Sequence, residues 1–321
     1  MFAPALALAL LSSALSVSAN CIHGTSLYPR AESAEGTVAI SKFGYSGTQG
    51  PLNWAGLDAA NSACRTSKVQ SPIVLDDSVG KAKSAPKVEI SNVEEAEFEN
   101  LGTTLEVVVS GKTTFEGKEF ELKQFHLHTP SEHRINDEYF PLEMHMVHEG
   151  KDGSIAVVAI PFQLTEDGST TELLTSVIEN LSNVTKPGTA TKTGRLDFEP
   201  LVEAIETRPH FLYSGSLTTP PCKEGLTFLV MAEPLALDVK TYNKLKSVIK
   251  FNARYSQNTL GETNLLDVAA ELAQKDAGIV CVNKPMDMKP STEMSSHETV
   301  SMEKVKTHCG QMCRQKRAFP N

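Results

Sequence analysis

Three histidines, at positions 126, 128 and 145, constrain what this chain can fold into more than any other feature. In Gln124-Phe-His-Leu-His128 two imidazoles stand two residues apart. A β-strand returns side chains to the same face every second residue, so an extended backbone points both rings one way. His145, in Leu142-Glu-Met-His145, lies far enough along for the chain to turn and come back as a neighbouring strand. Paired strands of this kind can aim three neutral nitrogens at one point. Three histidine ligands with a fourth position left open is the pattern of a catalytic rather than a structural zinc site.

The flanking residues support that reading. Gln124 and Glu143 each precede a candidate ligand by two residues and so share its face. A ligating histidine usually donates its second ring proton to an outer acceptor, which fixes tautomer and orientation. Both positions carry an acceptor. A single His-x-His could be an accident of surface or core, but a third histidine and two acceptors at the right offset argue for a metal site, with Zn2+ as the expected ion.

The chain has 321 residues, 40% of them hydrophobic, and a formal net charge of −9. This is enough apolar material for a substantial core. The acidic balance and the absence of a basic stripe argue against a nucleic-acid partner. Residues 1–19 are small and apolar, without a basic start, and end in Ser16-Val17-Ser18-Ala19. They read as a secretory signal peptide cleaved after Ala19, shorter than the roughly 20 apolar residues a membrane span requires. No membrane span and a secreted, extracellular location are expected. Cys21, Cys64, Cys222, Cys281, Cys309 and Cys313 suit an oxidising compartment, and none forms a Cys-x-x-Cys pair. Asn180-Leu-Ser182 and Asn183-Val-Thr185 are glycosylation sequons, close enough together that only one is expected to be used.

Residues 20–36 read as a flexible N-terminal segment. Alternating or β-branched runs follow at Leu105 to Val109, Phe120 to Phe125 and onward, Leu142 to His148, Ile155 to Ile160 and Leu226 to Met231. Gly111, Gly117, Gly150, Gly153 and Gly225 read as turn markers. Helical spacing occurs at Leu173, Leu174, Val177, Ile178 and Leu181 behind the possible caps Ser169 and Thr170, and again from Asp238 to Ile249. The expectation is a single, mostly β domain over 37–282, a large twisted and mainly antiparallel sheet with a few peripheral helices. Residues 283–321 read as a flexible tail, with His308, Cys309 and Cys313 better explained by a disulfide or disorder than by metal.

Further motifs give the pattern a family. Cys64 stands before Gln70-Ser-Pro-Ile73; Ser131-Glu-His133 follows the histidine pair; Ser214-Gly-Ser-Leu-Thr-Thr-Pro-Pro221 precedes Cys222. With Phe125-His-Leu-His128 and Glu143-Met-His145, these resemble the α-class carbonic anhydrases in order and spacing. The resemblance runs from about Tyr45 to Leu265 and includes Trp54 and Asn252-Ala-Arg-Tyr-Ser-Gln257.

The resemblance implies zinc held by His126, His128 and His145 at the base of a cleft, and reversible hydration of carbon dioxide to bicarbonate. Such zinc lowers the pKa of its water to about 7, a general property of the family rather than a value read from this chain. Thr218 is then expected to accept a hydrogen bond from the hydroxide and to direct its own proton to Glu132, since a carboxylate can only accept. Val147, Val157, Leu217 and Leu226 align with the apolar wall for carbon dioxide, and Thr219 lines the same pocket. Phe228 replaces a tryptophan common in relatives, and Tyr45 aligns with a tyrosine of the outer water network. By the same resemblance Cys64 and Cys222 form a disulfide that braces the loop carrying Thr218. The other four cysteines allow three pairings, or a disulfide-linked homodimer in place of a monomer. His133 and His148 read as structural. Where fast members carry a proton-shuttling histidine in Asn-x-Gly-His, this chain has Asn100-Leu-Gly-Thr103, and threonine cannot ferry protons near neutral pH.

Two other classes fit the sequence less well. An inactive relative serving as a binding module would typically have lost a ligand histidine, and all three are present. A cupin-type metalloenzyme would share His126-x-His128-x-x-x-Glu132, but it needs a later Gly and a Pro-x-Gly before the last histidine, which this chain lacks.

Overall fold

The computed structural model describes residues 36–276 and, as backbone, 279–281 and 313–315. The expected signal peptide, the segment 20–35, Cys21, Cys309 and most of the expected tail lie outside the described residues. The chain divides into two units, Met1–Asn264 and Leu265–Asn321. The second contains a helix, Leu265–Asp276, and a short antiparallel pair, Ile279–Cys281 with Cys313–Gln315, whose register sets Cys281 opposite Cys313. Among the described residues no helix is long and apolar enough to cross a membrane.

The first unit is built on a ten-stranded sheet. Its strands are β1 (Lys87–Glu89), β2 (Glu97–Asn100), β3 (Leu105–Phe115), β4 (Lys118–His128), β5 (Leu142–Gly150), β6 (Ile155–Leu164), β7 (Ala190–Lys192), β8 (His210–Ser216), β9 (Glu224–Met231) and β10 (Leu235–Leu237). They run in the order β8-β9-β6-β5-β4-β3-β2-β7, with β1 added to β3 and β10 to β6. Pairings are antiparallel except those of β6 with β9 and with β10. The expected mostly β class holds, as a mixed sheet.

Both faces of the central strands are buried. One face packs Phe98, Leu122, Phe125, Leu127, Met144, Met146 and Ile160 against Leu173, Leu174, Leu201 and Ile205 of the peripheral helices. The other packs Val147, Val157, Ala159, Leu217, Leu226 and Phe228. This explains the near-continuous apolar run of β6, since a strand covered on both sides needs no polar alternation. Full burial of a side chain such as Phe125 contributes about 1.5–3 kcal/mol.

A register shift between Leu122 and Gln124, where β4 meets β5, decides which face the histidines take. Strict alternation would put Leu122 on the side of Gln124, His126 and His128. The extra residue reverses that parity, so Leu122 joins Phe125 and Leu127 in the helix-covered core while the imidazoles face the other way. The sheet can thereby bury an apolar strand and present ligands from it.

Several local expectations need correction. Gly111 and Gly225 lie within strands rather than at turns. Gly111 sits at a register shift in β3, and a Cβ there would fall 2.7 Å from Ile90 Cγ1, so close approach of the segment following β1 demands glycine. The strands β3 to β6 extend beyond the expected runs. Neither Ser169 nor Thr170 caps the helix Glu172–Val177; the N-cap is Thr171, whose hydroxyl donates to Ala236 O. Thr170 Oγ1 instead accepts from Asp238 N, and Asp238 caps Val239–Ile249 by accepting from Thr241 N at 2.9 Å.

Candidate metal centre and active site

β4 and β5 deliver the three histidines. Their register sets His126 directly opposite His145 and His128 opposite Glu143. The ring centroids lie 5.1 Å (126–128), 5.4 Å (126–145) and 4.5 Å (128–145) apart. All three residues are buried, and each offers a nitrogen within 4.8 Å of the others.

In each ring one nitrogen has an oxygen acceptor. His126 Nδ1 meets Gln124 Oε1 at 2.9 Å, His128 Nδ1 meets the Asn252 carbonyl at 2.9 Å, and His145 Nε2 meets Glu143 Oε1 at 2.5 Å. If each of these nitrogens carries the proton, Nε2 of His126, Nε2 of His128 and Nδ1 of His145 are the ligating atoms. Burial, and then the charge on His145, push the His128 pKa down to about 3, which keeps that ring neutral at pH 7. A buried cluster of imidazoles, each oriented by an outer acceptor, fits Zn2+.

Glu143 is the hub behind the ligands. Its Oε2 accepts the main-chain N–H groups of Glu132 (3.1 Å) and His133 (2.9 Å), and its Oε1 also meets His133 Nδ1 at 2.7 Å. Burial acts to raise its pKa, but the neighbouring His133 and His145 outweigh that and hold the carboxyl well below the usual range. His133 Nε2 continues to Tyr213 OH at 2.7 Å, and Tyr213 OH donates to Ser71 Oγ at 2.9 Å. His133 therefore supports the ligand set through Glu143. His133, Glu143 and His145 also lie close enough to hold an ion, but they hydrogen-bond directly to one another, as an orienting shell does. His148 faces the opposite side, between Thr113 Oγ1 (2.9 Å) and Met146 O (2.9 Å).

Glu132 lies 3.5 Å from His128 Nδ1 and accepts the Arg254 main-chain N–H at 2.8 Å. Burial pushes its pKa up to about 7, while the His145 charge and the Thr218 hydroxyl favour the charged form. Thr218 and Glu132 are thus neighbours, as the motifs imply. Tyr45 is packed edge-on against Phe43 and Trp54, and burial followed by the Glu132 charge raises its pKa well above the usual value.

The apolar residues named from the sequence fall into one cluster. Val147 pairs across the sheet with Val157, Val157 with Phe228, and Leu217 and Leu226 pack on the same face. Phe228 stacks on Tyr213 at 5.1 Å and lies 6.0 Å from the His145 ring, so this cluster adjoins the histidines. Thr219 is fully buried, and its carbonyl accepts from Cys222 N. Thr103 bonds Ser41 Oγ at 2.8 Å and gives its carbonyl to Asn252 Nδ2. Asn180 Nδ2 donates to Lys192 O at 2.9 Å, whereas Asn183 is exposed.

Cys64 and Cys222 form a disulfide across a sequence separation of 158. Three residues at the site were given no role from the sequence, although Asn252 and Arg254 stand in a motif that carried the resemblance. Asn252 serves His128 through its main chain, Arg254 holds Glu132, and Glu106 is buried directly opposite His126 in β3. A main-chain acceptor leaves no residue-type signature. Glu106, however, sits at an even offset on a recognisable strand.

Comparison with known proteins agrees with this geometry. Residues 49–265 match the family model described as eukaryotic-type carbonic anhydrase. A carbonic anhydrase of Pectobacterium atrosepticum is 30% identical over 211 residues, 64% of this chain and 83% of the relative. The structure of a fungal alpha carbonic anhydrase from Aspergillus oryzae superposes with a TM-score of 0.70 at 46% identity, covering 72% of this chain and 99% of that one. The alpha carbonic anhydrase of Thermovibrio ammonificans, solved with the inhibitor sulfanilamide, gives 0.61 at 36% identity over 69% and 97%. The matched span carries every element that positions the three histidines, and the chain belongs to the eukaryotic-type, alpha carbonic anhydrase family.

Proposed function

We propose that this chain is a secreted, zinc-dependent carbonate dehydratase that interconverts carbon dioxide with bicarbonate and a proton. The single observation that carries the reading is the convergence of three buried imidazoles beside Glu132, Thr218 and an apolar wall. His126, His128 and His145 would hold the ion. Zinc bound there would supply a nucleophile at neutral pH by lowering the pKa of water.

The chain's own residues do the rest. The Thr218 hydroxyl donates to Glu132 whenever that carboxyl is ionised, because the carboxylate then only accepts. Its oxygen is then committed as an acceptor toward the nucleophile, whose remaining lone pair is turned to the substrate. Val147, Val157, Leu217 and Leu226 offer no hydrogen bonds, which suits a substrate that is nonpolar until attacked. Thr103 is fixed to Ser41 and cannot carry a proton near pH 7, so buffer in solution takes that role. Turnover is expected to rise with imidazole concentration; a rate already high and flat in imidazole would refute this.

Secretion accounts for the apolar start, the disulfide and the sequons together. Asn183, with its exposed side chain, is the proposed glycan acceptor over Asn180, whose amide is already donated. Peptide mapping after secretion from a glycosylating host checks this. The functional reading is tested by carbon dioxide hydration and metal analysis on His126→Ala. Loss of both zinc and activity is expected, and retention of one zinc with full activity would overturn it.

A further inference from the structure

Arg254 is a cation sealed inside the domain, 2% exposed, with its guanidinium 5.5 Å over the Trp54 ring. Among the described residues no carboxylate lies within ion-pair distance of that guanidinium. It is held instead by neutral oxygens: Nη1 donates to Ser71 O at 2.7 Å, and Nη2 to Gln70 Oε1 at 2.8 Å and Cys64 O at 3.3 Å. Burying a charge this way is costly, so the groups that hold it are worth tracing.

The hydrogen bonds form a closed circuit. Arginine only donates, so it fixes Gln70 with Oε1 toward itself and Nε2 turned away. That Nε2 donates to Cys222 O at 3.0 Å. Cys222 N donates to Thr219 O at 2.8 Å, closing the turn that follows Thr218. On the other side the Arg254 main-chain N–H donates to Glu132 Oε1, and Glu132 neighbours the Thr218 hydroxyl. One residue thus grips Glu132 through its backbone and the Thr218 turn through its side chain. Ser71 fastens the other end of the same loop: its Oγ accepts from Ser216 N at 3.0 Å and its N–H donates to Ser216 Oγ at 2.9 Å.

We propose that Arg254, acting through the side-chain amide of Gln70, is a positioning residue that holds Thr218 in register with Glu132. Arg254 and Gln70 are both buried and act through Glu132 and Cys222. The proposal rests on the functional reading above for its kinetic consequence but not for its structural one. Because Gln70 relays the hold, breaking its bond to Cys222 should loosen the Thr218 turn while leaving the ligand histidines untouched.

The informative variant is Gln70→Glu. A carboxylate can still accept from Arg254, and even pairs its charge, but it cannot donate to Cys222 O. Gln70→Leu removes both bonds at similar volume and serves as the second variant if the first folds poorly. Amide hydrogen exchange across residues 216–224 and the separate kcat and KM of hydration are measured on the full chain, with zinc content recorded. Expected are faster exchange in that segment, unchanged zinc stoichiometry and, at saturating imidazole where proton transfer no longer limits turnover, kcat reduced about tenfold with KM little changed, equivalent to about 1.4 kcal/mol in the barrier. A purely structural role would lower the melting temperature and leave the kcat of folded protein intact. Unchanged exchange at 216–224 with kcat within twofold of the parent, in whichever variant folds, would overturn the proposal. If the parent itself shows no hydration with zinc bound, the functional reading fails, and the exchange result alone decides the positioning role.

Discussion

Replacing Cys64 and Cys222 together by alanine should cost the fold several kcal/mol, and the structure indicates on which side of the equilibrium. The bond spans a sequence separation of 158, so it removes a long loop from the unfolded ensemble. The chain-entropy relation gives about 5 kcal/mol at 25 °C for a loop of that size, and compaction of the unfolded chain reduces it, so we expect a loss of about 3–5 kcal/mol. The folded side should change little. Arg254 and Asn264 donate to the main-chain carbonyl of Cys64, and Gln70 to that of Cys222, and alanine keeps those carbonyls. Both sulfurs lie in a small cluster with Phe43 and Trp54, so their loss leaves only a minor void. Guanidinium denaturation of oxidised parent and double variant measures the difference. A larger m-value should accompany it, because an uncrosslinked chain exposes more surface on unfolding. A loss below about 1 kcal/mol with unchanged m would refute the reasoning, since the loop would then be ordered or compact without the bond.

Other expectations follow from the same contacts. Glu143→Gln leaves one acceptor oxygen for four donors, so zinc affinity should fall about 10–100-fold in competition with a chelator; unchanged affinity would mean Glu143 does not orient His145. The zinc-free protein should lose stability as pH falls from about 6.5. Burial depresses the folded pKa of His128 to about 3 and of His148 to about 4, so the unfolded chain binds protons the folded one refuses. Each such group contributes a limiting slope of about 1.4 kcal/mol per pH unit between its two pKa values, and the stability is fully present only above the unfolded value. His148→Gln, which can still meet Thr113, should make urea-derived stability fall less steeply between pH 6.5 and 4; an unchanged slope would contradict the assignment.

The histidine cluster was legible in the sequence because its logic is local. His126, His128 and the acceptor Gln124 obey the two-residue repeat of one strand, and Glu143 with His145 obeys it on the next. The register shift that puts those residues on the right face was not legible, since it depends on which side of β4 the core claims Leu122. Support from afar was hidden for a similar reason. Asn252 reaches His128 through a main-chain carbonyl, which any residue type could supply. His133 has no periodic relation to the ligands, so its tie to Glu143 emerges only when the loop folds back on β5. Helix Glu199–Thr207 was legible in principle, since Leu201, Ala204 and Ile205 recur at helical spacing, whereas strand β8, ending Ser214-Gly215-Ser216, is selected by its place in the sheet. Thr171 displaced Ser169 and Thr170 as the N-cap, with the Thr170 hydroxyl taken up by Asp238, the N-cap of Val239–Ile249.

The most direct test is to titrate metal-free protein with zinc and follow the rate of carbon dioxide hydration at each step. With three imidazoles sharing one ion, activity should rise linearly and saturate at one equivalent per chain, and a chelator should abolish it. A rate that stays at the uncatalysed value with zinc fully bound, or that is already maximal before zinc is added, would contradict the central claim.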